Sequence, residues 1–185
     1  MNTQNKENNS IPFIKDGDTV KVYAEKLTRE IVDQLINMKD VKKIRLTGLV
    51  REIGGASFEG LDFAKTKWFD FSNANIEKVG CLAFDDCENI YFGQYFSNVQ
   101  KVGKYAFCNA MTKNKCIINL RSLKDIPSGC FMNASIDYLD LAGAEQAGED
   151  AFKNLKVTAI NLSDKLYNSY MNIENDELEG EKINF

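Results

Sequence analysis

The chain has 185 residues, of which 44% are hydrophobic and 27% are charged, enough to bury the core of one globular domain. Its net charge of −4 provides no overall basic field for a phosphate backbone, which argues against nucleic acid as a partner. The chain contains no histidine, so the commonest general base and metal ligand is absent, and this lowers the expectation of an enzyme.

The lack of a targeting pattern and the spacing of the cysteines further restrict the class of protein that the sequence predicts. The opening segment MNTQNKENNS lacks the basic and then apolar order of a secretory signal, and no run approaches the roughly 18 apolar residues that span a bilayer. The sequence therefore predicts a cytoplasmic protein that does not bind membranes. Five cysteines without a C-x-x-C pair suit neither a disulfide framework nor a zinc site, so we expect free thiols and no metal or other cofactor.

The first predicted elements follow a polar N-terminal tail, residues 1–15, which we expect to be disordered. TVKV at 19–22 predicts a strand, and Leu27, Ile31, Leu35 and Met38 then recur at helical spacing. Residues 16–40 therefore predict an N-terminal cap with a capping helix, as the exposed end of a repeat stack requires. This cap opens a single repeat domain, residues 16–171.

A sequence repeat occupies residues 41–163. Its members share an apolar residue, a Gly or Pro, two variable residues, a small residue and a phenylalanine. The phenylalanines lie 26, 23, 24 and 21 residues apart, which indicates a supersecondary repeat of about 20 to 29 residues. The five segments are VREIGGASFEGL (50–61), IEKVGCLAFDDC (76–87), VQKVGKYAFCNA (99–110), LKDIPSGCFMNA (123–134) and AEQAGEDAFKNL (144–155).

Short alternating runs between these segments predict strands. Alternation points two residues of each run inward, such as Ile118 and Leu120, and their neighbours outward. The sequence thus predicts an α/β solenoid with a parallel β-sheet on one face and short turns or helical turns opposite. The runs are KIRL (43–46), WFDF (68–71), NIYF (89–92), IINL (117–120), YLDL (138–141) and AINL (159–162).

The fixed positions of the repeat have a mechanical interpretation. Phenylalanine fills the interior against the phenylalanine of the next coil, and the preceding residue is small so that the next coil can approach. The Gly or Pro position is predicted to turn the chain where a free or preset φ is useful. Its occupants are Gly54, Gly80, Gly103, Pro127 and Gly148.

The order apolar-Gly-x-x-Ala-Phe-x-x-Cys, clearest in VGCLAFDDC (79–87), resembles the BspA-type leucine-rich repeat of bacterial surface proteins and some protist proteins. The resemblance covers about residues 41–163. It implies a solenoid with a parallel sheet on one face. It also implies a role in binding other macromolecules, often host proteins.

The outward side of the predicted sheet is the candidate site. Seven strands about 4.8 Å apart make a surface roughly 30 Å across, the scale of a protein epitope. The core does not require large outward aromatics, and aromatic anchors among polar groups are typical of binding hot spots. An alternative for Trp68 is that it covers the edge of its own coil or lies under a loop. The predicted contacts are Arg45, Trp68, Asp70, Tyr91, Tyr138 and Asp140.

The loop GQYFSN (93–98) adds Tyr95 and Phe96 as second-rank contacts, although such aromatics can instead pack against the next coil. Together these residues predict a non-enzymatic protein–protein interaction module that acts as a monomer. A carboxylate enzyme is the weaker reading. Asp70 and Asp140 share an outward column but lie several strands apart, beyond the roughly 5 to 10 Å of a catalytic pair.

The C-terminus predicts a cap at 164–171 and an acidic tail at 172–185. The segment IENDELEGEKINF (173–185) carries five acids within eight residues and then Ile183 and Phe185. A solvated tail is one interpretation. The other is a resemblance to C-terminal translocation signals of some type IV secreted bacterial effectors. That resemblance implies an effector or anti-host factor that is delivered into a host cell and blocks a target protein.

Overall fold

A computed structural model describes residues 13–113 and 115–173, with side chains to residue 169. Its elements are short and repeat along the chain. They are β1 (Phe13–Asp16), β2 (Thr19–Val22), β3 (Lys26–Leu27), α1 (Arg29–Asn37), β4 (Lys43–Leu46), β5 (Glu52–Ile53), β6 (Trp68–Asp70), β7 (Lys78–Val79), a 3-10 helix (Gly93–Phe96), β8 (Lys101–Val102), β9 (Ile117–Asn119), β10 (Asp125–Ile126), β11 (Ser135–Leu141), β12 (Gln146–Ala147), β13 (Lys156–Leu162) and α2 (Asp164–Ile173).

The strands stack into a parallel β-solenoid with few helices, which confirms the predicted leucine-rich-repeat-like stack. One set of strands forms two sheets, in the orders β1-β2-β4-β6 and β9-β11-β13. A second ladder runs β3-β5-β7-β8 and continues as β10-β12. All pairings are parallel except that of β1 with β2. Each coil from β4 onward thus carries the chain from the first set of strands to the second.

The phenylalanine ladder predicted from the repeat is confirmed. Phe58 and Phe84 stack with their ring centroids 5.3 Å apart, and Phe84 and Phe107 follow at 5.2 Å. The stack continues through Phe131 and Phe152 at 5.6 and 6.0 Å. Offset stacking of this kind adds about 0.5–1.5 kcal/mol for each pair beyond the burial of apolar area.

The small residues before the phenylalanines are also buried as predicted, because backbones of adjacent coils hydrogen-bond there. The amide of Phe58 donates to Ala83 O at 3.0 Å, that of Phe84 to Ala106 O at 2.8 Å, and that of Phe107 to Cys130 O at 2.9 Å. Ala83, Ala106 and Cys130 are all fully buried. A larger side chain at these positions would hold the coils apart.

The predicted role of the glycine column was wrong. None of Gly54, Gly80, Gly103 and Gly148 has a positive φ. A Cβ at Gly54 would lie 2.7 Å from Leu27 O, and one at Gly148 would lie 2.7 Å from Ser128 N, so these glycines are needed because the neighbouring coil is close. The left-handed residues occupy the variable positions of the repeat instead. One left-handed residue lies two positions after each phenylalanine of the repeat, and these residues are Gly60, Asp86, Asn109, Asn133 and Asn154.

Asparagine suits these left-handed positions because its short polar side chain tolerates a positive φ. Here the amides also bond from coil to coil. Asn133 Nδ2 donates to Asn109 Oδ1 at 3.2 Å, and Asn154 Nδ2 donates to Asn133 Oδ1 at 2.9 Å. The asparagines therefore satisfy the turn and tie adjacent coils together.

The sheet is not continuous over seven strands, which corrects the prediction. The run NIYF (89–92) forms no strand and contributes only the bridge between Ile90 and Thr112. The chain then enters the 3-10 helix, where Phe96 is buried against Phe71, Phe84, Phe92 and Phe107. The longer connection in this coil thus places an aromatic in the core and interrupts the ladder between β6 and β9.

The ends of the described chain differ in detail from the prediction. The predicted tail 1–15 overlaps β1, because Phe13–Asp16 pairs with β2. Helix α1 begins after Thr28, whose side chain accepts a hydrogen bond from the amide of Ile31, and it buries Val32 and Leu35. Its capping role and the domain boundaries remain predictions. Residues 1–12 and the acidic tail from 174 lie outside the described residues.

The cysteines and helices bear on two further predictions. All five cysteines are free thiols, as expected, and only Cys81 is exposed. Burial raises the pKa of Cys87 to about 12 and that of Cys108 to about 11, so both stay protonated at neutral pH.

Within the described parts of the chain, neither helix has the length and apolar character needed to cross a bilayer.

Candidate protein-binding face

The outward side of the sheets β1-β2-β4-β6 and β9-β11-β13, with residues 89–92 between them, is called the front face here. Its most prominent feature is Trp68, at the start of β6, with 52% of its surface exposed. The indole stacks on the ring of Tyr91, with centroids 4.2 Å apart and planes 16° from parallel. Trp68 therefore has one covered side and remains available to solvent elsewhere.

Tyr91 is fixed by its hydroxyl group. The amide of Phe69 donates to Tyr91 Oη at 2.7 Å, and the hydroxyl donates to Phe69 O at 2.8 Å. Among the described strands none pairs with β6 on this side, so the tyrosine side chain takes the place of a strand. Burial raises the pKa of Tyr91 well above its ordinary value and keeps the hydroxyl protonated.

A second exposed patch lies on β9 and β11. Ile117 and Tyr138 are directly opposite in the parallel register, and they are 41% and 39% exposed. Ala159 of β13 continues the same column. Exposed large apolar residues therefore occur on both sides of the sheet break, at outward positions that the core does not use.

Asp70 organises the basic end of the front face. Its carboxylate accepts from Lys43 Nζ at 3.0 Å and Arg45 Nε at 3.3 Å, and Ser72 adds bonds from its hydroxyl and amide. Burial alone would raise the pKa of Asp70, but the bonds from Ser72 and Lys43 hold it well below its usual value. Arg45 is thus a partly exposed cation, whereas Asp70 is largely covered.

Asp140 is a correction to the predicted contacts, because it is only 9% exposed. Arg121 Nη2 donates to its carboxylate at 2.6 Å, and Asn161 and the amide of Ala142 also donate to it. The carboxylate therefore joins β11 to its neighbours and is largely covered by them. Arg121, which the sequence reasoning missed, presents the more exposed side chain at this position.

The 3-10 helix separates the two predicted loop contacts. Tyr95 is exposed, but Phe96 is fully buried in the core, so the prediction of Phe96 as a contact was wrong. Ile117, an outward neighbour of Ile118 in the predicted strand, was not among the contacts predicted from the sequence. The cations of KNK (113–115), just before β9, were a visible signal that was not used.

The fold defines the class of this protein: coils with short parallel strands in two ladders, a stacked phenylalanine and a small residue beside it form a leucine-rich-repeat solenoid. Residues 51–175 match the family described as BspA type leucine-rich repeat region, in six copies. The match covers more than half of the chain, so the protein belongs to this family. No curated protein and no solved structure matches the chain.

Proposed function

We propose that this protein is a non-enzymatic interaction module that binds a partner protein through the front face, acting as a monomer. The observation that carries the proposal is the exposed Trp68, held in place by its stacking on Tyr91. A rigid aromatic side chain offers a large contact area at a low cost in conformational entropy, and such residues dominate binding energy at interfaces.

The surroundings of Trp68 support this proposal. Ile117 and Tyr138 extend the exposed apolar surface beyond the sheet break, and Arg45 and Arg121 supply partly exposed polar groups at its margins. An apolar centre within a polar rim is the usual anatomy of a protein interface. The carboxylates that an enzyme would need are engaged differently: Asp70 and Asp140 lie in separate sheets, each bound by basic side chains.

Partner capture with single and double variants tests the proposal. Trp68→Ala and Tyr138→Ala should each leave the thermal unfolding curve close to that of the wild type, because both side chains are substantially exposed. Each should weaken capture of a partner from a native extract, with loss of a hot spot costing about 2 kcal/mol, or roughly 30-fold in affinity.

Tyr167→Ala provides the matched control. Tyr167 is also an exposed aromatic, but it lies on α2. The control variant should capture the same partner as the wild type. If the double variant Trp68→Ala/Tyr138→Ala captures that partner as well as the control does, the front face is not the binding surface.

A further inference from the structure

The sheet break creates two hollows on the front face, on either side of Tyr91. One, called the aromatic hollow, has a volume of about 240 Å3 and is lined by Phe63, Trp68, Asn89, Tyr91 and Lys113, among others. The other, called the lysine hollow, has a volume of about 320 Å3 and is lined by Tyr91, Gln94, Lys113, Lys115, Cys116 and Ile117. The aromatic hollow lies below the roughly 300–1,000 Å3 of small-molecule pockets and the lysine hollow lies at the lower limit of that range, and each is large enough for one or two side chains of a peptide.

The position of Lys113, which borders both hollows, is fixed by its backbone. Its amide donates to Ile90 O at 2.7 Å, and its carbonyl accepts from the amide of Cys116 at 2.9 Å. The first bond attaches the loop to the preceding coil at Ile90, and the second closes a turn within the loop itself. The backbone therefore holds Lys113 at the edge of both hollows, beside Trp68 and Tyr91.

The lysines at this place have no ion-pair partner within the part of the chain that the structure describes. No carboxylate lines either hollow, and among the described residues neither Lys113 nor Lys115 forms an ion pair. The carboxylate beside this loop belongs to Asp137, whose amide donates to Thr112 Oγ1; its charge acts on the thiol of Cys116, and its Oδ2 is buried with no hydrogen-bond partner among the described residues. Both lysines are exposed and lie next to an aromatic surface, whereas eleven other basic side chains of the described residues form ion pairs within the chain.

We propose that the sheet break binds an acidic peptide segment of a partner protein. An apolar side chain of that segment occupies the aromatic hollow against Trp68, and a neighbouring carboxylate pairs with Lys113 or Lys115. This inference rests on the proposed function, because it uses the Trp68 end of the front face. It adds the chemistry of the partner: acidic residues beside an apolar anchor, rather than a basic or a uniformly apolar surface.

The single tryptophan of the chain makes the proposal directly measurable, since fluorescence excited at the red edge of the absorption band reports on Trp68 alone. The probe is a short capped peptide of Asp and Glu around a central Leu-Phe pair. Two matched peptides serve as comparisons: the same acids around Ser-Ser, and the same Leu-Phe pair among lysines. The acidic Leu-Phe peptide should change the fluorescence of Trp68 saturably, and at least tenfold more tightly than either comparison peptide.

Variants of Lys113 test the charge. Lys113→Gln should weaken binding of the acidic Leu-Phe peptide roughly threefold, as expected for one partly solvated ion pair, and Lys113→Glu should weaken it roughly tenfold. Lys113→Glu should also bind the lysine peptide more tightly than the wild type does. Lys101→Glu is the matched control, because Lys101 is an exposed lysine on β8 of the second ladder, and it should bind like the wild type.

Any of these results would overturn the proposal: equal binding of the acidic and lysine peptides, equal binding of the Leu-Phe and Ser-Ser peptides, or equal effects of Lys113→Glu and Lys101→Glu. Absence of any response from Trp68 would do so as well. These outcomes are separable from failure of the proposed function. If Trp68→Ala abolishes partner capture while the acidic peptide does not bind, the front face remains the binding surface and only the inferred chemistry is wrong.

Discussion

The hydroxyl group of Tyr91 makes the two hydrogen bonds to the backbone of Phe69 that a neighbouring strand would otherwise make, and Tyr91→Phe tests this role. Phe69 is fully buried, so loss of the hydroxyl leaves its amide and its carbonyl without partners and away from water. An unsatisfied buried polar group costs about 1–3 kcal/mol. Two such groups give about 2–6 kcal/mol, and we expect about 2 kcal/mol because Tyr91 itself is only half-buried and water can enter from the open side.

The expected loss corresponds to a decrease in melting temperature of about 4–8 °C for a chain of this size. Chemical denaturation followed by circular dichroism gives the free energy of unfolding, and hydrogen exchange should show reduced protection of the Phe69 amide. Tyr138→Phe is the matched control: it removes a hydroxyl from a more exposed tyrosine of the same face and should change stability by less than about 0.5 kcal/mol. If the two variants lose the same stability, the hydroxyl of Tyr91 does not replace a strand.

Three further predictions concern the core and the titration of buried groups. Gly103→Ala should destabilise the fold by about 3 kcal/mol, because its Cβ would lie 2.7 Å from Cys81 Cα. Gly48→Ala is the control and should be nearly neutral, because its Cβ would lie 3.5 Å from Asn73 O. Equal melting temperatures of the two variants would contradict the close approach of the coils at Gly103. Asp70→Asn should lower the free energy of unfolding by about 1–3 kcal/mol at neutral pH. Since the pKa of Asp70 is depressed in the folded state, this difference between variant and wild type should shrink as the pH falls below 3.8. A difference that stays constant through acid denaturation would contradict this prediction. Burial raises the pKa of Cys87 from 9.0 to about 12, so its contribution to stability is complete below pH 9.0 and is lost as the pH rises towards 12. Because a shift of this size corresponds to about 4 kcal/mol, Cys87→Ala, less stable by about 1 kcal/mol at pH 7, should reach the stability of the wild type within that interval and then exceed it. Parallel alkaline unfolding curves would contradict this assignment.

The front face shows where sequence reasoning succeeded and where it stopped. Alternation placed Trp68 and Tyr138 outward correctly, because the side-chain period of a strand is fixed by its backbone. The same alternation placed Asp140 outward without indicating that Arg121 and Asn161 would cover it. Phe96 lies in a segment whose sequence has no regular alternation of apolar and polar residues. Its entry into the core was therefore determined only by the space available between neighbouring coils.

The glycines of the repeat were also located correctly from the sequence, but their role was not. Their recurrence marked a structural constraint, but a sequence does not distinguish a glycine needed for its φ from one needed because another backbone is close. Asparagine and aspartate at the variable positions were the better indicators of left-handed conformation, since these residues tolerate it at lower cost. Gly103 is therefore explained by its contact with the preceding coil at Cys81.

The sequence by itself determined the repeat, the stacked phenylalanines, the small residues beside them and the outward column of side chains. These follow from local periodicity, because every coil must fill the same interior volume with the same kind of side chain. Only the tertiary structure decided where the sheet breaks, which hydroxyl replaces a strand and which carboxylates are covered. Those outcomes depend on how far each coil lies from its neighbours, and that spacing is set by packing between residues distant in the chain.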